Sequence, residues 1–227
     1  MPFHNLGING NSSILKYKNK QKEDGMKVKI FVDFWNLQLS WNEYHSNLGS
    51  PPPVKIPWEG ILPQVLLNKV GKDSDYAGTH VYASVNPKSP KDRKLNSFLQ
   101  QMDLFQGYKV TVKERKPAKP IKCTDEACRK EITYCPHCKK ELIRTVEKGV
   151  DTSIAIELFH YALENAYEKA ILISNDQDFV PAIEYIQRRG NYIIHGSFKN
   201  QGFAVKKACW SHIDFEDIMP ELLTPTE

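Results

Sequence analysis

Two short apolar runs constrain this chain more than any other feature. Val28 to Val32 is mostly apolar, Ala170 to Ile173 entirely so, and neither shows the strict polar alternation of a half-buried strand. A run of that length bounded by turn formers reads as a strand buried on both faces, as in a parallel sheet covered by helices. Each run also leads into carboxylates. Asp33 closes the first, and Ser174-Asn175-Asp176-Gln177-Asp178 follows the second. Ligands of open α/β sheets bind beyond the carboxyl ends of the strands, so these aspartates fall where a substrate is expected. The fold class that follows is α/β: a doubly wound, mostly parallel, Rossmann-like sheet flanked by helices.

The rest of the pattern agrees with that alternation. Helices are predicted from Leu37 to Tyr44, Trp58 to Val70, Lys91 to Phe105, from Asp151 onward, from Phe179 to Arg189 and, last, from Phe203 to Cys209. Further strands are predicted at Thr79 to Val85, Tyr108 to Lys113, Tyr192 to His195 and, at the edge, Ser211 to Phe215. Residues 1–25 carry Lys16, Lys18, Lys20 and Lys22 without the apolar stretch of a secretory signal, and read as a flexible basic leader. Residues 26–219 form the main domain, 121–145 an insert within it and 220–227 a tail. A hydrophobic content of 41% suffices for one such core. No run reaches the roughly 18 apolar residues of a membrane span.

The acidic positions carry the chemistry. Asp33 has Asn36 three residues on, and Gly149-Val150-Asp151 opens an amphipathic helix with Ile154, Leu158, Tyr161 and Ala162 on its apolar side. Taken singly, each aspartate is explained by a turn or helix cap; Asp151 and Asp178 both sit where a cap is expected. Taken together, aspartates at strand ends and a helix start are better explained by convergence on one cation. Glu157 lies six residues beyond Asp151, about 240° around an ideal helix, so the two share a focus only if Asp151 stands off the helix proper. Carboxylates without His or Cys suit a hard divalent cation, magnesium or manganese, which polarises a phosphate and lowers the pKa of a bound water.

In order and spacing, Val32-Asp33-x-x-Asn36, Gly149-Val150-Asp151 with an acid six residues on, and Ile173-Ser174-x-Asp176-x-Asp178-Phe179 resemble the NYN domain of the PIN-like nuclease superfamily, over roughly Met26 to Ile218. The resemblance implies a metal-dependent endoribonuclease acting on single-stranded or structured RNA and leaving a 5′-phosphate and a 3′-hydroxyl. It implies Asp33, Asp151 and Asp176 as magnesium or manganese ligands, Asp178 in support, Asn36 orienting Asp33 or a substrate phosphate, and Glu157 where relatives commonly carry an aspartate. Two departures stand out. Phe34-Trp35 replaces a glycine soon after the first aspartate, and Asn175 stands where glycine is common, a mild change because asparagine tolerates a left-handed backbone. The alternative is a catalytically inactive RNA-binding or adaptor module, although the chain keeps every core carboxylate. A Toprim-like enzyme would need glutamate where Asp33 stands, and an aspartyl phosphatase a second aspartate where Trp35 stands.

Between the third predicted strand and the Asp151 helix lies Cys123-x4-Cys128-x6-Cys135-Pro136-His137-Cys138. Two paired arms, the second a tight knuckle, match the ligand number and spacing of a structural zinc site, here a small ribbon. Disulfides are the alternative reading, but a chain without a secretion signal is expected in the reducing cytoplasm. Cys209 reads as an inert core thiol. The stretches entering and leaving the cysteine arms are basic, with Lys113, Arg115, Lys116, Lys119 and Lys122 on the way in and Lys139, Lys140, Arg144 and Lys148 on the way out. With a net charge of only +4 the basic face must be local. Lys116, Lys119, Lys139 and Lys140, together with Lys88, Lys91, Arg93 and Lys94 after the second strand, are candidate phosphate contacts. Trp35, Trp41 and Tyr82 are candidate base-stacking residues or, more simply, core. The insert is also a candidate surface for a second copy or a protein partner.

Overall fold

The two apolar runs lie side by side at the centre of one sheet. In the computed structural model, which describes residues 25–49, 54–142 and 144–224, the chain forms β1 (Met26–Asp33), α1 (Phe34–Asn47), α2 (Ile61–Val70), β2 (Ser74–Val85), α3 (Pro90–Met102) and β3 (Tyr108–Glu114). The insert contributes β4 (Lys116–Pro117), β5 (Ile121–Lys122), β6 (Glu131–Ile132) and β7 (Thr145–Val146). Then follow α4 (Val150–Leu163), β8 (Lys169–Ile173), a 3-10 turn (Gln177–Phe179), α5 (Val180–Arg188), β9 (Tyr192–Ser197), α6 (Phe203–Ala208), β10 (Ser211–Asp214) and α7 (Phe215–Leu223). Apart from Gly25, the leader lies outside the described residues.

The central sheet has the order β10-β9-β8-β1-β2-β3 and every pairing in it is parallel. The chain first builds outward from β1 through β2 to β3, then crosses back to β8 and builds the other way. The order therefore reverses between β1 and β8, a switch point where the connections leave to opposite sides and a crevice opens. Asp33 and Ser174 stand at its lip.

Alternation along β1 assigns the two faces. Val28, Ile30 and Val32 join the core shared with α1, α2, α3 and α7, whereas Phe31 joins the core under α4, α5 and α6. Phe31 is fully buried, so truncation to alanine would cost about 3–5 kcal/mol. Lys29 and Asp33 share the Phe31 side, which places two charged groups beneath α4.

The elements expected from the sequence pattern all form and differ mostly at their boundaries, while the insert's short strands and one C-terminal helix lie outside that expectation. α1 starts at Phe34 rather than Leu37, because the Asp33 side chain caps it. β2 starts at Ser74, and Trp58 to Gly60 forms a turn before α2. The helix at Phe203 is not the last. α7 packs against α2 and runs from Phe215 through residue 219 to Leu223, with Ile218, Met219 and Leu222 buried and a Lys69–Glu221 ion pair of 2.6 Å. Residues 220–223 thus belong to a core helix rather than a tail. No helix among the described residues is long and apolar enough to cross a membrane.

Candidate active site

Three element starts meet at the switch point. Asp33 ends β1 and caps α1, its Oδ1 accepting the Asn36 backbone N–H at 3.1 Å. Its Oδ2 accepts the Ser174 hydroxyl, at 3.2 Å, from the end of the neighbouring strand. Asp176 caps the 3-10 turn, accepting the Asp178 N–H at 2.9 Å. Asp151 lies in the first turn of α4, whose N-cap is Gly149 with φ 84°. Gly149 and Asp176 therefore take the cap positions for which Asp151 and Asp178 were candidates. A helix start carries partial positive charge from its free N–H groups, which favours carboxylates there.

The carboxylates perturb one another. Asp33 is 7% exposed, and burial is the main cause of a pKa pushed up to about 6; the Asn36 N–H opposes the shift, while Glu147 and Asp151 add to it. Asp151 is raised as well, by burial first and then by Asp176, Glu147 and Asp178. Among the described residues no lysine or arginine pairs with Asp33, Asp151, Asp176 or Asp178. Also among the described residues, no group of three or more His, Cys, Asp or Glu side chains stands in an arrangement that holds a metal ion.

Glu147 is the acid that sequence reasoning missed. It accepts the Ser84 hydroxyl and lies 3.7 Å from an Arg115 guanidinium nitrogen. Arg115 also donates to Ser84 Oγ at 3.0 Å and lies 5.4 Å from the Trp35 ring centroid. The Trp35 indole N–H donates to the Ser84 carbonyl at 2.8 Å. Ser84 lies two residues past Tyr82, the register partner of Asp33, near the end of β2. The signal was faint: Glu147 is a lone acid in the basic stretch Arg144 to Lys148.

Asn36 acts twice. Its backbone N–H holds Asp33, and its side-chain oxygen accepts both the N–H and the Nδ2 of Asn175, at 3.1 and 2.9 Å. Asn175 extends the chain of bonds to Gln201 Oε1 at 3.0 Å. It is not among the residues at positive φ, so its side-chain amide, rather than tolerance of a left-handed backbone, accounts for asparagine there. Gly202, at φ 60°, borders the amide so closely that a Cβ would lie 2.5 Å from Asn175 Oδ1.

The NYN domain family matches residues 27–216, nearly the whole described chain. This chain belongs to the NYN family. The NYN domain is a PIN-like nuclease domain. A solved protein of unknown function from Vibrio parahaemolyticus has a similar fold, with a TM-score of 0.52 and 18% identity over 87% of this chain and 97% of that one. A search of curated proteins returns no match.

The other expected positions of this NYN domain divide sharply. Glu157 does not join the aspartates. Two turns along α4, it accepts hydrogen bonds from His80 Nδ1 at 3.0 Å and the Tyr82 hydroxyl at 2.9 Å, and the Lys109 ammonium at 3.3 Å. Asp151 is in the helix proper, so the 240° separation holds and Glu157 faces mid-sheet. Tyr82 and Trp41 are core residues, 1% and 0% exposed, and do not stack bases. Trp35 is half-buried. Lys88, Lys91, Arg93 and Lys94 are exposed beyond the carboxyl end of β2, on the side where Asp33 ends β1. Lys116, Lys119, Lys139 and Lys140 are exposed on the insert, whose root pairs β4 with β7.

The two cysteine arms of the insert close alike. The first cysteine of each donates its N–H to the carbonyl two residues past the second: Cys123 to Lys130 at 2.9 Å, Cys135 to Lys140 at 2.8 Å. The residue after each second cysteine has a left-handed backbone, Arg129 at φ 40° and Lys139 at φ 57°. Backbone N–H groups of Cys138 and His137, then the Cys138 thiol, draw the Cys135 thiol below the ordinary cysteine range. All five cysteines are free thiols, and burial pushes Cys209 up to about 12, as suits an inert thiol.

Proposed function

We propose that this NYN domain is a metal-dependent endoribonuclease that hydrolyses phosphodiester bonds of single-stranded or structured RNA. The observation that carries the reading is the group of carboxylates at the β1/β8 switch point, mutually repelling and without a paired lysine or arginine among the described residues on Asp33, Asp151, Asp176 or Asp178. A donor set made only of oxygens, with a buried aspartate raised to about 6, fits magnesium or manganese, because a hard divalent cation relieves that repulsion. Asp33, Asp151 and Asp176 would hold it, with Asp178 and Glu147 beside them. Such an ion, when bound, neutralises charge on the scissile phosphate and lowers the pKa of the attacking water.

The chain's own groups do the rest. Asn36 and Ser174 each fix one oxygen of Asp33, so the carboxylate keeps one orientation without reorganising. Arg115, beside Glu147, offers a guanidinium to a phosphate, and the lysines of the β2–α3 loop take the backbone on either side. The choice of RNA over DNA rests on the family.

Wild type and Asp176→Asn, incubated with end-labelled single-stranded RNA and DNA in manganese, magnesium or EDTA, test the reading. Metal-dependent internal cleavage of RNA by the wild type alone is expected. Binding without cleavage in every condition would instead support the inactive RNA-binding module.

We also propose a structural zinc ion on Cys123, Cys128, Cys135 and Cys138. The support is the repeated backbone closure of the two arms and the N–H groups that favour the Cys135 thiolate. Metal analysis should find one zinc per chain in the wild type and none in Cys135→Ser/Cys138→Ser; a zinc-free wild type overturns the assignment.

A further inference from the structure

β3 is the edge strand of a sheet whose interior strands are covered on both faces. Its residues alternate. Tyr108, Val110 and Val112 pack into the core shared with α2 and α3, while Lys109, Thr111 and Lys113 pair in register with His80, Tyr82 and Ser84 and share their side of the sheet. That side carries α4, since His80 and Tyr82 both bond Glu157. α4 packs on β1 and β2, and its Glu157 meets β3 at Lys109. Parallel strands are ordinarily apolar on both faces, and while Lys109 is answered by Glu157, Thr111 and Lys113 on this face are not accounted for by packing.

We propose that a single-stranded polynucleotide lies along this face of β3, from Lys109 through Lys113, and reaches the carboxylate group at Arg115. Arg115 continues the row past the strand end and already touches Ser84 and Glu147. Residues two apart on a strand repeat at about 6.6 Å, close to the separation of successive phosphates in an extended strand. Lys113 pairs with no carboxylate among the described residues and stays available to a phosphate. A peptide adding to the sheet would use the backbone edge of β3 and ignore these side chains; a polyanion uses the side chains themselves. The proposal rests on the nuclease reading for its direction, since the row is a track only if it leads to the reacting phosphate.

The test is the affinity of the full chain for a fluorescent single-stranded RNA in EDTA, by anisotropy across a salt series, for wild type, Lys113→Glu and Lys113→Ala. Lys207→Glu, on the exposed last turn of α6, is the charge control. Lys113→Glu should weaken binding roughly tenfold at low salt, and Lys113→Ala should lower the salt slope by about 0.7, the value for one phosphate contact on a single strand. Lys207→Glu should match the wild type, and all variants should melt with it. Equal losses in Lys113→Glu and Lys207→Glu, no loss in either, or no binding by the wild type each overturns the track. Because EDTA removes cleavage from the measurement, RNA bound on this face but never cut in manganese would refute the nuclease reading and leave a polynucleotide-binding face without the direction of a track.

Discussion

Two groups of polar side chains lie under α4 on the same face of the sheet, separated by the roughly 9 Å of helix from Asp151 to Glu157. In the mid-sheet group every partner is answered. Glu157 takes His80, Tyr82 and Lys109, and Lys29 donates to the Ala77 carbonyl at 2.6 Å and faces His80 Nε2 at 3.4 Å. Burial works to raise the Glu157 pKa, but the bonds from His80 and Tyr82 and the Lys109 charge outweigh it and hold it below the usual range. At the strand ends the opposite holds: burial first raises both Asp33 and Asp151, and neighbouring carboxylates add to it, Glu147 and Asp151 for Asp33 and Asp176, Glu147 and Asp178 for Asp151. A fold that can satisfy buried charge in one place and leaves it unsatisfied 9 Å away, by the same helix estimate, is keeping the second place for something else. That contrast, more than the count of acids, separates scaffold from site.

The comparison breaks first on activity. Asp176→Asn or Asp33→Asn should lower RNA cleavage by about 10²–10³-fold, as loss of a group acting on the reacting charge does. Glu157→Gln, assayed per folded molecule, should cleave within a few-fold of wild type. If Glu157→Gln is as inactive as the aspartate variants, the two groups are one site.

Stability should move the other way. Glu157→Ala strands the Tyr82 hydroxyl and the His80 N–H and should cost roughly 1–3 kcal/mol in urea unfolding. Asp33→Asn removes a charge that burial disfavours and should stabilise the metal-free protein by about 1–3 kcal/mol at neutral pH.

The pH dependence sharpens this sign difference. Asp33 goes from 3.8 unfolded to about 6 folded, so the native state holds the extra proton between those values. Its ionisation costs stability at pH 7, and the cost vanishes as the pH falls through about 6 to below 3.8. The advantage of Asp33→Asn should therefore be full at pH 7 and gone below pH 4, estimated from the same linkage to about one unit. His80 behaves oppositely. Burial chiefly depresses it to about 4, so its neutral form contributes stability that is lost as the pH falls from 6.5 through about 4. Melting the two proteins from pH 7 to 4 checks both directions; an advantage of Asp33→Asn that grows on acidification contradicts them.

The smallest effect concerns the insert. If the insert holds the proposed zinc, a strong chelator should raise amide exchange from about residue 116 to 146 while shifting the main unfolding transition little, because among the described residues the insert's strands pair with each other and not with the central sheet. Collapse of the whole fold on chelation would show that the insert is part of the core.

What was legible in the sequence was what composition decides locally. The apolar runs at Val28–Val32 and Ala170–Ile173 fixed strands, aspartates at their ends fixed the side of the sheet, and helix spacing already separated Glu157 from Asp151. Family position argued for including Glu157, and the geometry of the helix decided against it. Glu147 was hidden because an acid among lysines looks like solvated surface, and only the return of the insert to β3 brings it to Ser84. The polar row of β3 was visible as alternation in Tyr108-Lys-Val-Thr-Val-Lys, but that α4 packs over β1 and β2 on that side is a property of the crossover to β8 and not of the strand.

The most direct measurement is manganese binding by calorimetry and electron paramagnetic resonance to wild type, Asp151→Asn and Glu157→Gln in the absence of RNA. The account predicts binding by the wild type that Asp151→Asn abolishes and Glu157→Gln retains. No binding by the wild type, or equal loss in both variants, would contradict the claim that the strand-end carboxylates, and not the mid-sheet network, are kept for a cation.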